Sequence, residues 1–312
     1  MAMSFCLIVN PAAGRSSPWR NWANRWLRRQ PRHYYQTAST AVSAVIDRLR
    51  YHGATIDIHY TTQSGDATRY AQLAAESGRY AAVIAMGGDG TINEVINGII
   101  DTDVPLGVIP FGTANVYCSA FHLPNTINDA VDRIIAGKTT HIDVGSIHNR
   151  YFVCMAGIGF DAYIITRHSS SLKSYFGGFS YLITALRHYF SYPFHPISYC
   201  VDGRSTVHKC ALFIISNTHL YGGRFALSPN ASPSDGYLNA CVFNDIRIMS
   251  ILKNAKHLVC GQPQKMIGFK SFLCKEIEFK SGPSHTIHCD AEVIGHTPAT
   301  AHIHSKKLRI IH

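Results

Sequence analysis

The sequence predicts two folds in one chain, an N-terminal Rossmann-like α/β domain with a parallel sheet and a C-terminal antiparallel β-sandwich domain. Up to about residue 140, apolar strand patterns alternate with helical patterns, which is typical of a parallel sheet covered on both faces. Beyond that point short strand patterns and turn signals dominate. With 312 residues, the chain has room for about two domains. The predicted boundaries are 1–140, rejoined by 305–312, and 141–304.

The first predicted domain consists of short apolar runs, each followed by a helical pattern. A short apolar run bounded by turn residues indicates a buried strand, and apolar residues at every third or fourth position indicate a helix. The predicted strands are 5–9, 55–60, 80–86 and 104–109, and the predicted helices are 38–52, 65–75, 91–100 and a further one after Asn115.

The second predicted domain has strand patterns separated by turns, including the strong hairpin signal Asp202-Gly203. The predicted strands are 142–147, 151–155, 197–201, 210–216, 237–243, 276–280 and 286–289, and two helices are predicted at 172–192 and 245–259. The last stretch, 307–311, is predicted to return to the first domain.

The most informative segment is the glycine turn Gly87-Gly88-Asp89-Gly90-Thr91, which lies between a predicted strand and a predicted helix. Glycine allows close backbone approach and positive φ, and the unpaired N–H groups that open a helix favour an anion such as phosphate. A carboxylate beside a phosphate needs a cation between the two negative groups, usually Mg²⁺. The segment therefore predicts a Mg²⁺-nucleotide site at Asp89. The alternative is an ordinary strand-to-helix turn without a ligand.

Other polar residues follow the neighbouring predicted strands. Asn10, Thr61 and Thr113 each come just after a strand, and ligand loops in parallel sheets lie at the carboxyl ends of the strands. We expect them to converge with the glycine turn on one crevice. Thr91 and Glu94 have the spacing of a capping box, which predicts that the helix begins at Thr91.

Composition and charge narrow the class of protein. The net charge is +10 and the pI is about 9.2, which suits nucleotides or an anionic membrane face as partners. No recognised nucleic-acid-binding motif is present. The nine cysteines contain no C-x-x-C pair, which indicates reduced thiols in the cytoplasm. No run of 18 apolar residues exists, so we expect no membrane-spanning helix.

Residues 16–34 contain all three tryptophans, Trp19, Trp22 and Trp26, at the spacing of one helical face and among several arginines. A basic helix with an aromatic face is typical of an element that lies on a membrane surface. This pattern predicts peripheral binding to the inner membrane face. The alternative is that the tryptophans pack on the sheet and the arginines face solvent.

Together these motifs resemble the catalytic domain of the diacylglycerol kinase family, which includes bacterial lipid kinases and sphingosine kinases. The resemblance rests on the glycine turn continued by Ile92-Asn93-Glu94-Val95, on Asn10-Pro11 with Gly14, and on Pro110-Phe111-Gly112-Thr113-Ala114-Asn115. It continues through 157–162, 222–223 and 234–236, and so covers most of the chain.

The resemblance implies a nucleotide-binding α/β domain, a β-sandwich lipid domain, an active site between them, and ATP-dependent phosphorylation of a lipid hydroxyl in phospholipid metabolism. It implies that ATP is contacted by Asn10, Thr61, Gly87, Gly88, Asp89, Gly90, Thr91, Ile92, Asn93 and Thr113. It implies that Asp235 holds Mg²⁺ with backbone oxygens of Ser232 and Tyr237. In Asp290-Ala291-Glu292, it makes Glu292 the base that accepts the proton of the lipid hydroxyl, with Asp89 as the second catalytic residue.

Two positions depart from the family's pattern. Val116 stands where an Asp usually follows the Gly-Thr-x-Asn motif, and Ala291 stands where the family has the Gly of Asp-Gly-Glu. If Ala291 adopts a positive φ, its backbone is strained. Two other functions stay open: an NAD kinase-like enzyme, in which the glycine block also recurs, and a catalytically silent lipid- or nucleotide-binding regulator. The acceptor lipid and the oligomeric state, including a homodimer, are also open.

Overall fold

The computed structural model describes residues 3–13, 38–112, 115–167, 179–222 and 225–312. The Trp/Arg segment 16–34, Thr113 and the first part of the predicted helix 172–192 lie outside these residues. The described chain forms two compact units. The first contains the residues up to Ile142 and Lys306–His312, and the second contains the described residues from Asp143 to Ser305.

The helices and strands are numbered in chain order. The described strands are β1 Ser4–Val9, β2 Thr55–Tyr60, β3 Ala82–Gly87, β4 Leu106–Pro110, β5 Thr139–Ile142, β6 Gly145–Ile147, β7 Arg150–Phe152, β8 Met155–Ile158, β9 Ile197–Val201, β10 His208–Cys210, β11 Leu212–Ser216, β12 Leu220–Tyr221, β13 Phe225–Ala226, β14 Leu238–Phe243, β15 Phe269–Cys274, β16 Glu276–Phe279, β17 Thr286–Cys289, β18 Glu292–His296, β19 Ala299–Ile303 and β20 Leu308–Ile311. The described helices are α1 Ala38–Tyr51, α2 Asp66–Glu76, α3 Asp89–Ile99, α4 Val116–Ala120, α5 Ile127–Ala136, α6 Phe160–Arg167, α7 Phe179–Tyr189 and α8 Ile248–Val259, with a 3-10 turn at Pro263–Lys265.

The first unit is a six-stranded sheet in the order β2-β1-β3-β4-β20-β5. Its neighbouring strands pair in parallel, except that β20 and β5 are antiparallel. The central strands β1, β3 and β4 are almost entirely buried, because a parallel sheet is covered on both faces. On one face, Leu7 and Ile84 belong to a core shared with Val45 of α1 and Val131 of α5. The predicted α/β fold is confirmed.

The second unit contains two antiparallel sheets in the orders β10-β9-β16-β19-β6-β7 and β15-β14-β11-β8-β17-β18. One buried cluster combines side chains from both sheets, including Ile147, Phe279, Phe213 and Ile287. This is the arrangement of a β-sandwich, in which the inner faces of two sheets share one core. The predicted sandwich is confirmed.

Three predicted strands are interrupted in the structure: 210–216 at Ala211, 142–147 and 151–155. The last two interruptions have a hydrogen-bonding cause. The predicted strand 142–147 breaks at Asp143, whose N–H donates to the Pro233 carbonyl and whose carboxylate accepts from the Gly236 N–H. The predicted strand 151–155 breaks at Val153 and Cys154, because their N–H groups bind the Asp290 carboxylate instead of a neighbouring strand.

Candidate nucleotide and catalytic sites

The glycine turn leads directly into helix α3, which begins at Asp89 and not, as predicted, at Thr91. Gly88 is the N-cap residue and offers no side-chain cap. The N–H of Ile92 bonds to the Gly88 carbonyl at 3.1 Å, whereas the N–H groups of the first three helical residues have no acceptor within the helix. These amides stand at the positive end of an 11-residue helix, which is the geometry that binds phosphate.

No glycine of this turn is required by positive φ, and Gly87 serves close packing. Gly87, Gly88 and Gly90 all lie outside the left-handed region. A Cβ atom on Gly87 would lie 2.6 Å from the Thr91 side chain, and one on Gly112 would lie 2.6 Å from the Gly88 Cα atom. The backbones that follow β3 and β4 therefore touch at Gly88 and Gly112, and no larger residue fits at Gly112 without a shift.

Asn10, Thr61 and Thr91 are brought together at the carboxyl ends of β1, β2 and β3. The Asn10 Nδ2 donates to the Thr91 Oγ1 at 3.0 Å, and the Thr61 N–H donates to the Val9 carbonyl at 2.9 Å. The Thr91 hydroxyl thus tethers the loop after β1 to helix α3. Since Thr91 is the third helical residue and not the N-cap, the predicted capping box is wrong.

Glu94 acts on the neighbouring helix and not on its own. Its Oε2 accepts from the Ala67 N–H at 3.1 Å and its Oε1 from the Ser64 hydroxyl at 3.3 Å, so it caps the start of α2. Within the same loop, Asp66 accepts from the N–H and hydroxyl of Thr62. These bonds lower the pKa of Asp66 to about 2, and the carboxylate that organises the loop is therefore ionised at neutral pH.

Asp89 has a protein partner that the sequence did not indicate. Its Oδ1 accepts from the Tyr117 N–H at 3.0 Å, at the start of α4. Two other predicted ATP contacts, Ile92 and Asn93, are buried in the protein. Ile92 is fully buried, and the Asn93 side chain accepts from the Asn97 amide at 3.0 Å.

Asn115, which was not among the predicted site residues, adopts φ 49° and accepts from the Gly112 N–H. Asn115 is the last residue of the Gly-Thr-x-Asn motif, and this motif could have indicated its role from the sequence.

The predicted metal residues of the second unit lie in the turn before β14. The Asp235 Oδ1 accepts from the Tyr237 N–H at 3.0 Å, and the Ser232 and Ser234 hydroxyls are 3.2 Å apart. Asp235 is exposed, and a carboxylate with backbone oxygens is the donor set that Mg²⁺ prefers. Within the described part of the chain, no three His, Cys, Asp or Glu side chains are grouped as metal ligands.

The predicted base Glu292 follows a tight turn between β17 and β18. Asp290 and Ala291 both have positive φ, 46° and 70°, and Cys289 pairs with Glu292 across the turn. Two successive left-handed residues make the type I′ turn that suits a two-residue hairpin. Ala291 therefore occupies a position that favours glycine. The backbone strain expected for a positive φ at Ala291 is present.

Asp290 fixes this turn to a distant strand. Its two carboxylate oxygens accept from three consecutive backbone N–H groups, Val153 at 2.9 Å, Cys154 at 3.0 Å and Met155 at 2.9 Å. On the other side of the turn, Glu292 accepts through Oε2 from the Arg150 guanidinium at 2.7 Å. The Glu292 side chain is 42% exposed, so a substrate can reach it.

A buried network supports the turn from behind. The Ala291 N–H donates to the His288 Nδ1 at 3.2 Å, which places the imidazole proton on Nε2, and Nε2 donates to the Asp161 Oδ2 at 2.7 Å. The Tyr221 hydroxyl donates to the other Asp161 oxygen. Gly157 lies against this pair, where any Cβ atom would overlap both side chains. His288 thus has a structural role in holding the turn.

The substitution Ala291→Gly is expected to stabilise the protein by about 1 kcal/mol, because an L-residue in the left-handed region costs roughly 1–2 kcal/mol and glycine does not. Urea denaturation would measure the change. As a control, Ala255→Gly at an exposed position of helix α8 should destabilise by about 1 kcal/mol. A lower free energy of unfolding for Ala291→Gly would show that the turn does not carry this strain.

The chain is similar to proteins of known family over both units. Residues 4–147 match the family described as "Diacylglycerol kinase catalytic domain", and residues 154–312 match the "YegS C-terminal NAD kinase beta sandwich-like domain". A diacylglycerol kinase of Staphylococcus epidermidis is 33% identical over 260 residues, which cover 81% of this chain and 80% of that protein. One of Staphylococcus aureus is 32% identical with the same coverage.

Solved structures show the same fold. A diacylglycerol kinase structure from Bacillus anthracis has a TM-score of 0.70 and 20% identity, and covers 99% of this chain and 96% of its own. A second Bacillus anthracis structure has a TM-score of 0.74 and 21% identity with the same coverage. None of the helices described for this chain is long and apolar enough to cross a membrane.

Proposed function

Because the chain belongs to the diacylglycerol kinase catalytic domain family, we propose that it is a lipid kinase, which transfers the γ-phosphoryl group of ATP to a hydroxyl of a lipid such as diacylglycerol. The observation that carries the proposal is the set of backbone N–H groups of the first three residues of α3, which have no acceptor within the helix. Gly88 and Gly112 place no side chains over this backbone. A triphosphate is the ligand that this arrangement suits best.

On the nucleotide side, the residues after β1, β2 and β3 hold the phosphates. The N–H groups of Asp89, Gly90 and Thr91 donate to phosphate oxygens, and Asn10 and Thr61 line the same edge of the sheet. Mg²⁺, when bound, neutralises charge on the phosphate oxygens. Asp89 is the proposed carboxylate for this ion in the first unit, where it also keeps its bond to the Tyr117 N–H. In the second unit, Asp235 is a separate proposed Mg²⁺ ligand.

On the acceptor side, Glu292 takes the proton of the lipid hydroxyl while that oxygen bonds to the γ-phosphorus. The bond from the γ-phosphorus to the bridging oxygen breaks, and ADP leaves with that electron pair. Arg150 orients the Glu292 carboxylate through Oε2, and the turn at Asp290 and Ala291 sets the position of its backbone. Positioning of this kind accounts for much of catalysis in phosphoryl transfer.

Two other functions have some support. The match of residues 154–312 to an NAD kinase-like sandwich favours an NAD kinase-like enzyme as the second candidate. The strain at Ala291 and the presence of Val116 favour a regulator that binds lipid or nucleotide without turnover.

Radiolabelled ATP and a panel of acceptors separate these functions. The purified chain is incubated with γ-labelled ATP, Mg²⁺ and, in parallel, diacylglycerol, phosphatidylglycerol, a sphingoid base in detergent micelles, or NAD. We expect label in a lipid product after extraction and chromatography, with matching ADP release. Label transferred only to NAD would support the second candidate. ATP binding by calorimetry without transfer to any acceptor would support the regulator.

A further inference from the structure

Helix α8 (Ile248–Val259) buries polar side chains and exposes several apolar ones, although Leu258 packs on the core. Its buried residues are the polar Ser250 and Asn254, whereas Met249 and Leu252 are each 63% exposed and Val259 is 71% exposed. An ordinary amphipathic helix turns its apolar side chains toward the core. Positions 249, 252 and 259 are separated by three and seven residues, so these side chains form one largely apolar stripe that faces away from the protein, with Lys256 among them.

Hydrogen bonds of the polar face hold the helix in this orientation. The Ser250 hydroxyl donates to the Asp245 Oδ2 at 2.6 Å. The Asn254 amide donates to the Ile267 carbonyl at 3.0 Å and accepts from the Ile267 N–H at 2.8 Å. Since Asn254 satisfies both backbone groups of Ile267, a rotation of the helix that buried Leu252 would leave them without this partner. The exposure of the apolar stripe is therefore built into the fold.

The apolar surface extends beyond the helix and is bordered by positive charge. Ile267 is 56% exposed, and Leu273 on the edge strand β15 is 52% exposed. From residue 246 to residue 275 the sequence contains no Asp or Glu. The exposed lysines of this segment are Lys253, Lys256, Lys265, Lys270 and Lys275. An exposed apolar patch with a basic border is the composition of a surface that binds anionic lipid.

We propose that helix α8, with Ile267 beside it, is the surface through which this chain docks on an anionic membrane. The proposal rests on the proposed function, since a kinase that acts on a membrane lipid must reach the bilayer. Met249, Leu252 and Val259 insert among the acyl chains, and Lys253 and Lys256 contact the lipid phosphates. A second copy of the chain fits this surface less well, because an isologous contact would bring the same lysines against each other.

Sedimentation of the full chain with vesicles tests the docking surface. Two double variants are compared with the unaltered chain: Met249→Gln with Leu252→Gln, and Lys253→Gln with Lys256→Gln. Leu73→Gln is the matched control, because Leu73 is also an exposed apolar residue (56%) on a helix, α2 of the first unit. We expect each double variant to bind phosphatidylglycerol-containing vesicles at least tenfold more weakly, and the control to bind as the unaltered chain does. Binding of the unaltered chain to pure phosphatidylcholine vesicles should be weak.

The outcomes distinguish this proposal from the kinase proposal. Vesicle binding needs no turnover, so the measurement tests the docking surface even if the chain phosphorylates no acceptor. If the chain is a lipid kinase, the double variants should retain activity on short-chain diacylglycerol dispersed in water and lose it on long-chain diacylglycerol in vesicles. Unchanged vesicle binding in both double variants would overturn the docking surface. A dimer that Met249→Gln with Leu252→Gln converts to a monomer, with vesicle binding retained, would also overturn it.

Discussion

Glu292→Gln should reduce turnover by about 10²–10⁴-fold while ATP binding stays unchanged, because the amide cannot accept the proton of the lipid hydroxyl. Glutamine keeps the size of the side chain and an oxygen that can accept from Arg150, so the turn and the sandwich should be preserved. The measurement is the initial rate of lipid phosphorylation at saturating ATP, together with the ATP dissociation constant from calorimetry.

Glu278→Gln is the matched control for this substitution. Glu278 also lies on a strand of the second unit, is partly exposed and is paired with a cation, Lys280. Its neutralisation should leave the rate within about twofold, since a solvent-exposed ion pair contributes little. A Glu292→Gln enzyme that retains activity within about tenfold of the unaltered chain would exclude Glu292 as the essential base.

Asp290→Ala should lower the free energy of unfolding by about 3 kcal/mol or more. The substitution leaves the N–H groups of Val153, Cys154 and Met155 without their acceptor, and each of these residues is buried. An unsatisfied buried donor costs about 1–3 kcal/mol, and three are created together. The same change releases the turn before Glu292, so catalysis should fall as well. Urea denaturation followed by circular dichroism measures the stability.

Asp202→Ala separates the effect of burial from the loss of a turn carboxylate. Asp202 has positive φ, like Asp290, and its Oδ1 accepts from two consecutive N–H groups, Lys275 and Glu276. It lies on an exposed hairpin, where water replaces the lost acceptor, so we expect a cost of only about 1 kcal/mol. Equal losses for the two substitutions would show that burial of the three N–H groups does not set the cost at Asp290.

Local sequence was sufficient for most strands and helices of the first unit and for the position of the glycine turn, but it missed helix α6 and strands β15, β18 and β19 of the second unit. Each buried strand of the first sheet is a continuous apolar run between turn residues, a pattern that depends only on near neighbours. The start of α3 was misplaced by two residues because a capping box and a third helical position look alike in sequence. Thr91 bonds to Asn10, which is 81 residues earlier in the chain. The local sequence does not show that Thr91 makes this bond and does not cap its own helix.

Sequence periodicity therefore decided most strands and helices of the first unit and predicted an anion site after β3, because strand and helix periods repeat within a few residues. Tertiary contacts alone decided the rest. The carboxylate of Asp290 stops a strand more than 130 residues away, Asp161 holds the His288 ring that accepts from the Ala291 N–H, and Asn254 turns the apolar side of α8 outward. Each of these depends on hydrogen bonds to backbone or side chains that only the folded chain brings within 3.2 Å.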